Sequence, residues 1–337
     1  MSKIAAFGEV MMRLETPGYS TLAQENQLKY SFSGSGVNVL SALSRFGHEA
    51  YLISALPDNA LGEAAIANLR KLGLSDRHIM RSGQYLGMYF LEKGFGSRAS
   101  KVTYNDRLGS SFNTATFDDR QLAAAVAEAE ALHFCGITLA MNEQVRGNMF
   151  RLAREAKRQG RKIVFDCNYR PTLWGQDGYE RAKGHYEQML QLADVVMMNE
   201  QDAMLVLGMP TAATEREQQL KELLPVVAKQ YDIQTIAGTH RRINGDNTHS
   251  LKGFIFSKER LVMGKEHSFS VHDRVGAGDA YASGIIDGLL RGLPVEQVVE
   301  FAAAAARLAH TIPGDTPLST RAEIEKAIHN ETGDVER

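Results

Sequence analysis

Short apolar runs separated by helical patterns dominate the chain. KIAAFGEVM at the start, then EAYLISALP, ALHFCGIT, KIVFDCN, DVVMMN and IQTIAGT, are short and lean towards β formers, so they read as buried strands. Between them, QLAAAVAEAEA and NEQVRGNMFRLAREAKRQG are rich in helix formers, and the second ends at Gly160 in the manner of a helix C-cap. Strands alternating with helices predict right-handed βαβ units and a mostly parallel sheet covered on both faces. Two stretches break this rhythm. Residues 13–33 carry polar, turn-like sequence followed by LKYSFSG, and residues 84–112 carry QYLGMYFLEKG and ASKVTYNDRLGS around a Gly- and Ser-containing turn. They are expected to form a small separate sheet inserted into the α/β body as a lid; the alternative is edge strands of the main sheet. Ala302–Ala306 reads as part of a tightly packed helix, and the polar tail after His329, NETGDVER, is expected to fray.

Composition narrows the partner. A chain of 337 residues, 44% of them hydrophobic, can bury a sizeable core. Its 38 basic and 40 acidic residues are spread without a polybasic block, so nucleic acid and membrane surfaces are not expected, and a small molecule is. Cys135 and Cys167 are the two cysteines, far apart and without metal spacing, which argues against a disulfide framework or zinc site and fits a reduced cytoplasm. The first apolar run meets Glu9, and no run approaches the ~20 residues that span a bilayer. A cytoplasmic protein is the expectation.

Candidate chemistry concentrates in HDRVGAGDAYASG, residues 272–284. An extended segment, a tight turn and a helix with Tyr281, Ile285 and Leu289 four apart would place the turn at a helix N-terminus. Small residues at Gly276, Ala277 and Gly278 let backbone N–H groups converge there, and the helix dipole adds positive potential, which makes an anion hole for a phosphoryl group. Asp279 then lies within reach of an attacking hydroxyl as a general base. The bland reading is an ordinary turn with Asp279 as a cap. A second glycine pair, Gly34 and Gly36 in SFSGSGVNVLSALSRFG, precedes a helix with Val37, Leu40, Leu43 and Phe46 on one face and Gly47 at its end. Val39 stands where a dinucleotide fingerprint needs its third glycine, and no GxxxxGK[ST] loop occurs. Gly34 can still give backbone approach to a polyol, with Asn38 hydrogen-bonding to hydroxyls.

SGSGVNVLSALSRFG, NEQDA at 199–203 and DRVGAGDAYASG together resemble, in order and spacing, the two signatures and central acidic motif of the ribokinase family, also called the PfkB carbohydrate kinases. Within it, GEVMMRL, GMYFLE, HFCGIT, DCNYRPTLW, DRVGAGD and HTIPGD look like the branch that phosphorylates 2-keto-3-deoxygluconate. The resemblance implies a ribokinase-like three-layer α/β nucleotide-binding domain over residues 1–12, 34–83 and 113–330, with a β-sheet lid of residues 13–33 and 84–112. It implies transfer of the γ-phosphoryl of ATP to a sugar-acid hydroxyl with Mg²⁺, a monovalent cation as a further ligand, and a homo-oligomer formed through the lid. By position, Asp279 matches the catalytic base and Gly276, Ala277 and Gly278 the anion hole; Gly34, Asn38, Tyr89, Arg107 and Arg170 match contacts to the keto-deoxy acid. Asn199 matches a Mg²⁺- and phosphate-ordering position, with Asp202 reaching the ion through water, and Thr239 falls where nucleotide contacts follow a strand.

Three departures bear on these roles. Asp202 replaces the usual Glu of the central motif and is one methylene shorter. Asn105 stands where similar kinases place a tyrosine two residues before the arginine, and Tyr104 is displaced by one, which in a strand moves it to the other face unless a bulge intervenes. GTHRRINGDNTHS is unusually basic, and its Arg241 and Arg242 match no nucleotide contact. His133 and Trp174 are expected to pack, and both thiols to be buried. Outside the sugar-acid kinases, the same residues leave open a fructokinase or ribokinase-type enzyme and a catalytically idle sugar or nucleotide sensor; an intact GAGD turn argues against the sensor.

Overall fold

A computed structural model describes residues 1–329; NETGDVER lies outside the described residues. The expected strands at 3–7, 49–56, 131–135, 162–166, 195–197 and 235–243 lie in one sheet. From one edge the order runs 74–75, 49–56, 3–7, 131–135, 162–166, 195–197 and 235–243, all neighbours parallel, with 79–81 also pairing beside 49–56. Alternate side chains of Lys3–Phe7 explain the layers: Ala5 and Phe7 pack under helices 119–128 and 143–158, while Ile4 and Ala6 pack under helices 35–45, 277–290 and 295–309. Burial on both faces is why these strands are continuous apolar runs.

Two features of the sheet were not foreseen. The strand 235–243 continues past IAGT into the basic THRRI and pairs with 249–257, which pairs with 260–269, all antiparallel. This hairpin carries polar and charged residues on its outer edge, so it lacks the apolar density of the central strands. Conversely, the single run KIAAFGEVM divides: 3–7 enters the main sheet, and the next strand, 11–15, belongs to another.

That second sheet has four strands in the order 29–33, 11–15, 87–92, 101–105. The irregular stretches therefore form a lid, not an edge of the main sheet. Its first strand opens at Met11, two residues before the expected boundary, and 101–105 gives way to a single 3-10 turn at 107–109 and a short helix at 111–114. The expected turn at a helix N-terminus is present, but it is shorter: Gly276 alone caps the helix, Ala277 and Gly278 already belong to 277–290, and the segment before it is irregular, the preceding strand stopping at Phe269. Gly160, just past the 143–158 helix, has φ +67°, which satisfies the expected left-handed cap.

Candidate functional site

Chemistry-bearing residues collect beyond the carboxyl ends of the parallel strands, the place where open α/β sheets bind ligands. Glu9 follows strand 3–7, Asp166 ends strand 162–166, and Asn199 follows 195–197. Two helices, 35–45 and 277–290, start beside one another there. Within the second, Ala280 N–H is the first to bond back, to Gly276 O at 2.9 Å, so the N–H groups of Ala277, Gly278 and Asp279 stay open at the N-terminus. Gly276 takes φ +81°, and a Cβ on it would come 1.7 Å from Asp315 O; no other residue fits. Gly34 is required for a different reason, because a Cβ there would lie 2.2 Å from Glu9 O.

The Asp279 carboxylate is held at the meeting of the two helices. Ser35 Oγ donates to its Oδ1 and Asn38 Nδ2 to its Oδ2, both at 2.7 Å. Burial pushes its pKa up to about 6, the two hydrogen bonds and nearby Arg170 opposing part of that rise. Asp166 is carried further, to about 7, by burial and the charge of Asp279, with Arg170 opposing. Arg170 caps the short helix 171–174, is exposed, and makes no ion pair among the described residues; its field reaches Asp166, Asp202 and Asp279. A free guanidinium beside three carboxyl groups and an open helix N-terminus is an arrangement able to take an anionic substrate and remove a proton from its hydroxyl.

Other expected residues are placed differently. Arg107 is not on the lid strand but in the turn after it, beyond Asp106 at φ +39°. Its Nε donates to buried Glu9 at 2.7 Å, and Ser110 Oγ donates to the same carboxylate at 2.6 Å. Pairing runs unbroken from Met88 with Asn105 to Glu92 with Lys101, without a bulge. Tyr104 therefore faces Tyr89 directly, ring centroids 6.2 Å apart, and the Asp106 turn swings the Arg107 guanidinium over the Tyr104 ring at 5.1 Å. The displaced tyrosine keeps its company with the arginine through the turn. Tyr89 hydroxyl donates to Asp315 Oδ2 at 2.6 Å and lies 3.1 Å from Ser33 Oγ; Asn38 Oδ1 accepts from Thr316 Oγ1 at 3.3 Å. Both side chains thus have protein partners.

Asn199 lies just before a wide helical turn, residues 202–206, that Asp202 opens. Asn199 N–H donates to Asp202 Oδ2 at 2.9 Å, and Gln201 N–H donates to Asn199 Oδ1 at 2.7 Å. Burial raises the Asp202 pKa to about 6. Thr239 lies inside a strand, opposite Gly253, and not after it. Arg241 Nη1 is 3.3 Å from His249 Nδ1, and Arg242 pairs with Glu266 at the surface. His133 is fully buried and kept neutral, its pKa pushed down to about 4, and Trp174 stacks on Tyr169; both pack as expected, as do the two buried free thiols.

Sequence reading missed Ser35, which sits between the two glycines it did single out, and Asp273 and Asp315, each inside a motif it quoted. It also passed over Glu9, noted only as a break in an apolar run, and Asp166, which opens DCNYR. For Glu9 and Asp166 the residue type was the available signal: an acid at or just past the end of a strand of otherwise apolar residues has to be paired or functional.

This fold, an α/β body with a four-stranded lid and a Gly-Ala-Gly-Asp helix start, is that of a ribokinase-like carbohydrate kinase. The chain belongs to the pfkB family of carbohydrate kinases, whose family model matches residues 1–240 and 248–321. It superposes on a 2-dehydro-3-deoxygluconokinase from Thermotoga maritima with a TM-score of 0.91 and 32% identity, covering 98% of each chain. A protein of Enterococcus faecalis, provisionally described as a 2-keto-3-deoxygluconate kinase, matches with a TM-score of 0.94 and 37% identity over 100% of this chain and 99% of that one. The 2-dehydro-3-deoxygalactonokinase of Haloferax volcanii is 29% identical over 100% of this chain and 99% of its own. No helix among the described residues is long and apolar enough to cross a membrane.

Proposed function

We propose that this carbohydrate kinase transfers the γ-phosphoryl of ATP to a 2-keto-3-deoxy sugar acid, foremost to the 6-hydroxyl of 2-keto-3-deoxygluconate. The observation that carries the reading is the Asp279 carboxylate, fixed by Ser35 and Asn38 at the open start of helix 277–290. Asp279 takes the proton of the attacking hydroxyl, and the N–H groups of Ala277 and Gly278, brought close by the Gly276 turn, face the charge that builds on the transferred group. Gly34 gives the sugar close approach, Tyr89 and Arg107 wall the pocket from the lid, and Thr239 borders the nucleotide. Substrate choice rests on Arg170, an exposed guanidinium near Asp279 that makes no ion pair among the described residues; the named relatives act on two keto-deoxy acids that share a carboxylate.

Magnesium fits the same reading. Mg²⁺ is usually bound by phosphates and water with one or two protein carboxylates. Among the described residues no group of three or more His, Cys, Asp or Glu could hold an ion alone, and Asp202, braced by Asn199, is the carboxylate offered, through water. Bound with ATP, the ion neutralises phosphate charge. A homo-oligomer through the lid belongs to the same reading, supported by the exposed Tyr30 and Val102 on its sheet.

Two outcomes are expected. Arg170→Ala raises KM for the keto-deoxy acid and erodes its preference over fructose and ribose by roughly 10- to 150-fold, the worth of one charged hydrogen-bonded contact; Arg107→Ala does so less, because Glu9 shares that guanidinium. Equal weakening of all sugars would make Arg170 structural. In the pH profile, a base must be ionised, and Asp279 ionises near 6 instead of near 4. The profile of kcat/KM is therefore expected to fall below about pH 6, with Asp166 and Asp202 titrating beside it. A profile flat to pH 4.5, well below that value, removes Asp279 as the base.

A further inference from the structure

Arg13 is the largest fully buried side chain among the described residues, and neither substrate binding nor proton transfer uses it. It lies on the lid strand 11–15, yet its guanidinium reaches the body. Nη2 contacts Glu15 at 2.5 Å and Asp273 at 3.4 Å, and Nη1 pairs with Asp315. Lys93, from just beyond the neighbouring lid strand, adds contacts to Glu15 at 3.7 Å and Asp273 at 3.8 Å. Asp273 Oδ1 accepts the N–H groups of Arg274 and Val275, and its Oδ2 that of Gly314, so this carboxylate shapes the approach to Gly276. Asp315 supplies the carbonyl against which Gly276 packs, and its carboxylate holds Tyr89 of the lid.

Two loops that frame the phosphoryl site thus converge on one lid guanidinium. Without that charge, Asp273 and Asp315 would face each other and Glu15 with Lys93 alone to offset them, at a depth where like charges are costly. Arg13 and Lys93 already occupy Glu15, Asp273 and Asp315, so these carboxylates do not fit the free monovalent cation implied by resemblance.

We propose that Arg13 is a positioning residue that acts as a built-in cation: it ties the lid strand to the Asp273 and Asp315 loops, sets the anion-hole turn, and makes turnover independent of monovalent cations. The proposal rests on the kinase reading for its activity arm alone. That arm measures wild-type turnover in choline, sodium and potassium chloride at equal ionic strength. Equal rates are expected; a rate in choline below about one tenth of that in potassium overturns the proposal, because the site then uses a free cation. Arg13→Ala is expected to lower kcat roughly 10²-fold with a smaller change in KM, the signature of a misplaced site, and added guanidinium or potassium ions should restore about 10-fold of it. Arg13→Lys should retain most of the rate. A folded Arg13→Ala with wild-type kcat, or one that no cation rescues, overturns the assignment.

The second arm needs no substrate. In the ligand-free protein, Arg13→Ala is expected to speed amide exchange roughly 10-fold or more in both 11–15 and the bonded amides of 273–275, leaving 131–135 unchanged. Exchange that rises in the lid strand alone shows that Arg13 does not hold the turn. If no sugar acid is phosphorylated, the kinase reading fails while this arm still decides the role of Arg13.

Discussion

Asp279→Asn is expected to keep ATP binding and to lower kcat by roughly 10²- to 10⁴-fold, the cost of removing a general base. The amide has the carboxylate's shape, and it can still be satisfied in place. Its oxygen can accept from Asn38 Nδ2, and its NH₂ can donate to Ser35 Oγ, which as a hydroxyl works in either direction. Stability separates loss of the base from loss of the fold. Burial raises the Asp279 pKa from 3.8 to about 6, so the folded state favours the protonated acid. The resulting penalty is absent below the unfolded value, grows as pH rises, and is complete above about 6. The Asn variant escapes it, so its Tm should equal or exceed that of the wild type at pH 8 and lose this advantage near pH 4. Near-normal turnover would take Asp279 out of the base role; a Tm that falls at pH 8 would show that the carboxylate is needed for folding.

Gly276→Ala is the second large effect. Ala at φ +81° is strained by about 1 kcal/mol or more, and its Cβ would strike the Asp315 carbonyl, so the turn must shift. Moving the Ala277 and Gly278 N–H groups is expected to cost roughly 10²- to 10³-fold in kcat, comparable to losing an oxyanion donor. Gly278→Ala is the control. A Cβ there meets nothing within 4 Å, and Ala is the better helix former, so the fold should gain up to about 1 kcal/mol. Stopped-flow turnover and thermal unfolding of the pair separate a displaced backbone from a crowded pocket: a Gly276→Ala enzyme with unchanged kcat would remove the turn from catalysis.

The central sheet was legible because burial on both faces leaves apolar runs that resemble nothing else, as in KIVFDCN and ALHFCGIT. The hairpin 249–269 was not: its edge strand RLVMGKEHSF mixes charged and apolar residues in a pattern shared with loops, and HSLKGFIFS, though buried, has only the short FIF run to mark it. The Gly276 turn and Asp279 could be read from local spacing, for the helix begins where the small residues stand. What Asp279 touches could not: Ser35 and Asn38 are more than 240 residues away in the chain. The same holds for the Arg13 cluster, whose members come from four segments and share no spacing. Tyr104 takes the face opposite Asn105, as an unbulged strand requires, and the part that could not be read is Arg107: the left-handed Asp106 turn takes it off the strand and over the Tyr104 ring.

An idle sensor on the same scaffold would need no base; a neutral-sugar kinase would need no free arginine at the mouth of the site. One measurement addresses both: phosphorylation by the wild-type protein of 2-keto-3-deoxygluconate, 2-keto-3-deoxygalactonate, fructose and ribose, followed by coupled ADP release. The account predicts turnover with ATP and Mg²⁺, a kcat/KM for the keto-deoxy acids roughly 10- to 150-fold above the neutral sugars, and phosphate on the 6-hydroxyl. Fructose or ribose phosphorylated as well as either acid, or no turnover with any of the four, would contradict it.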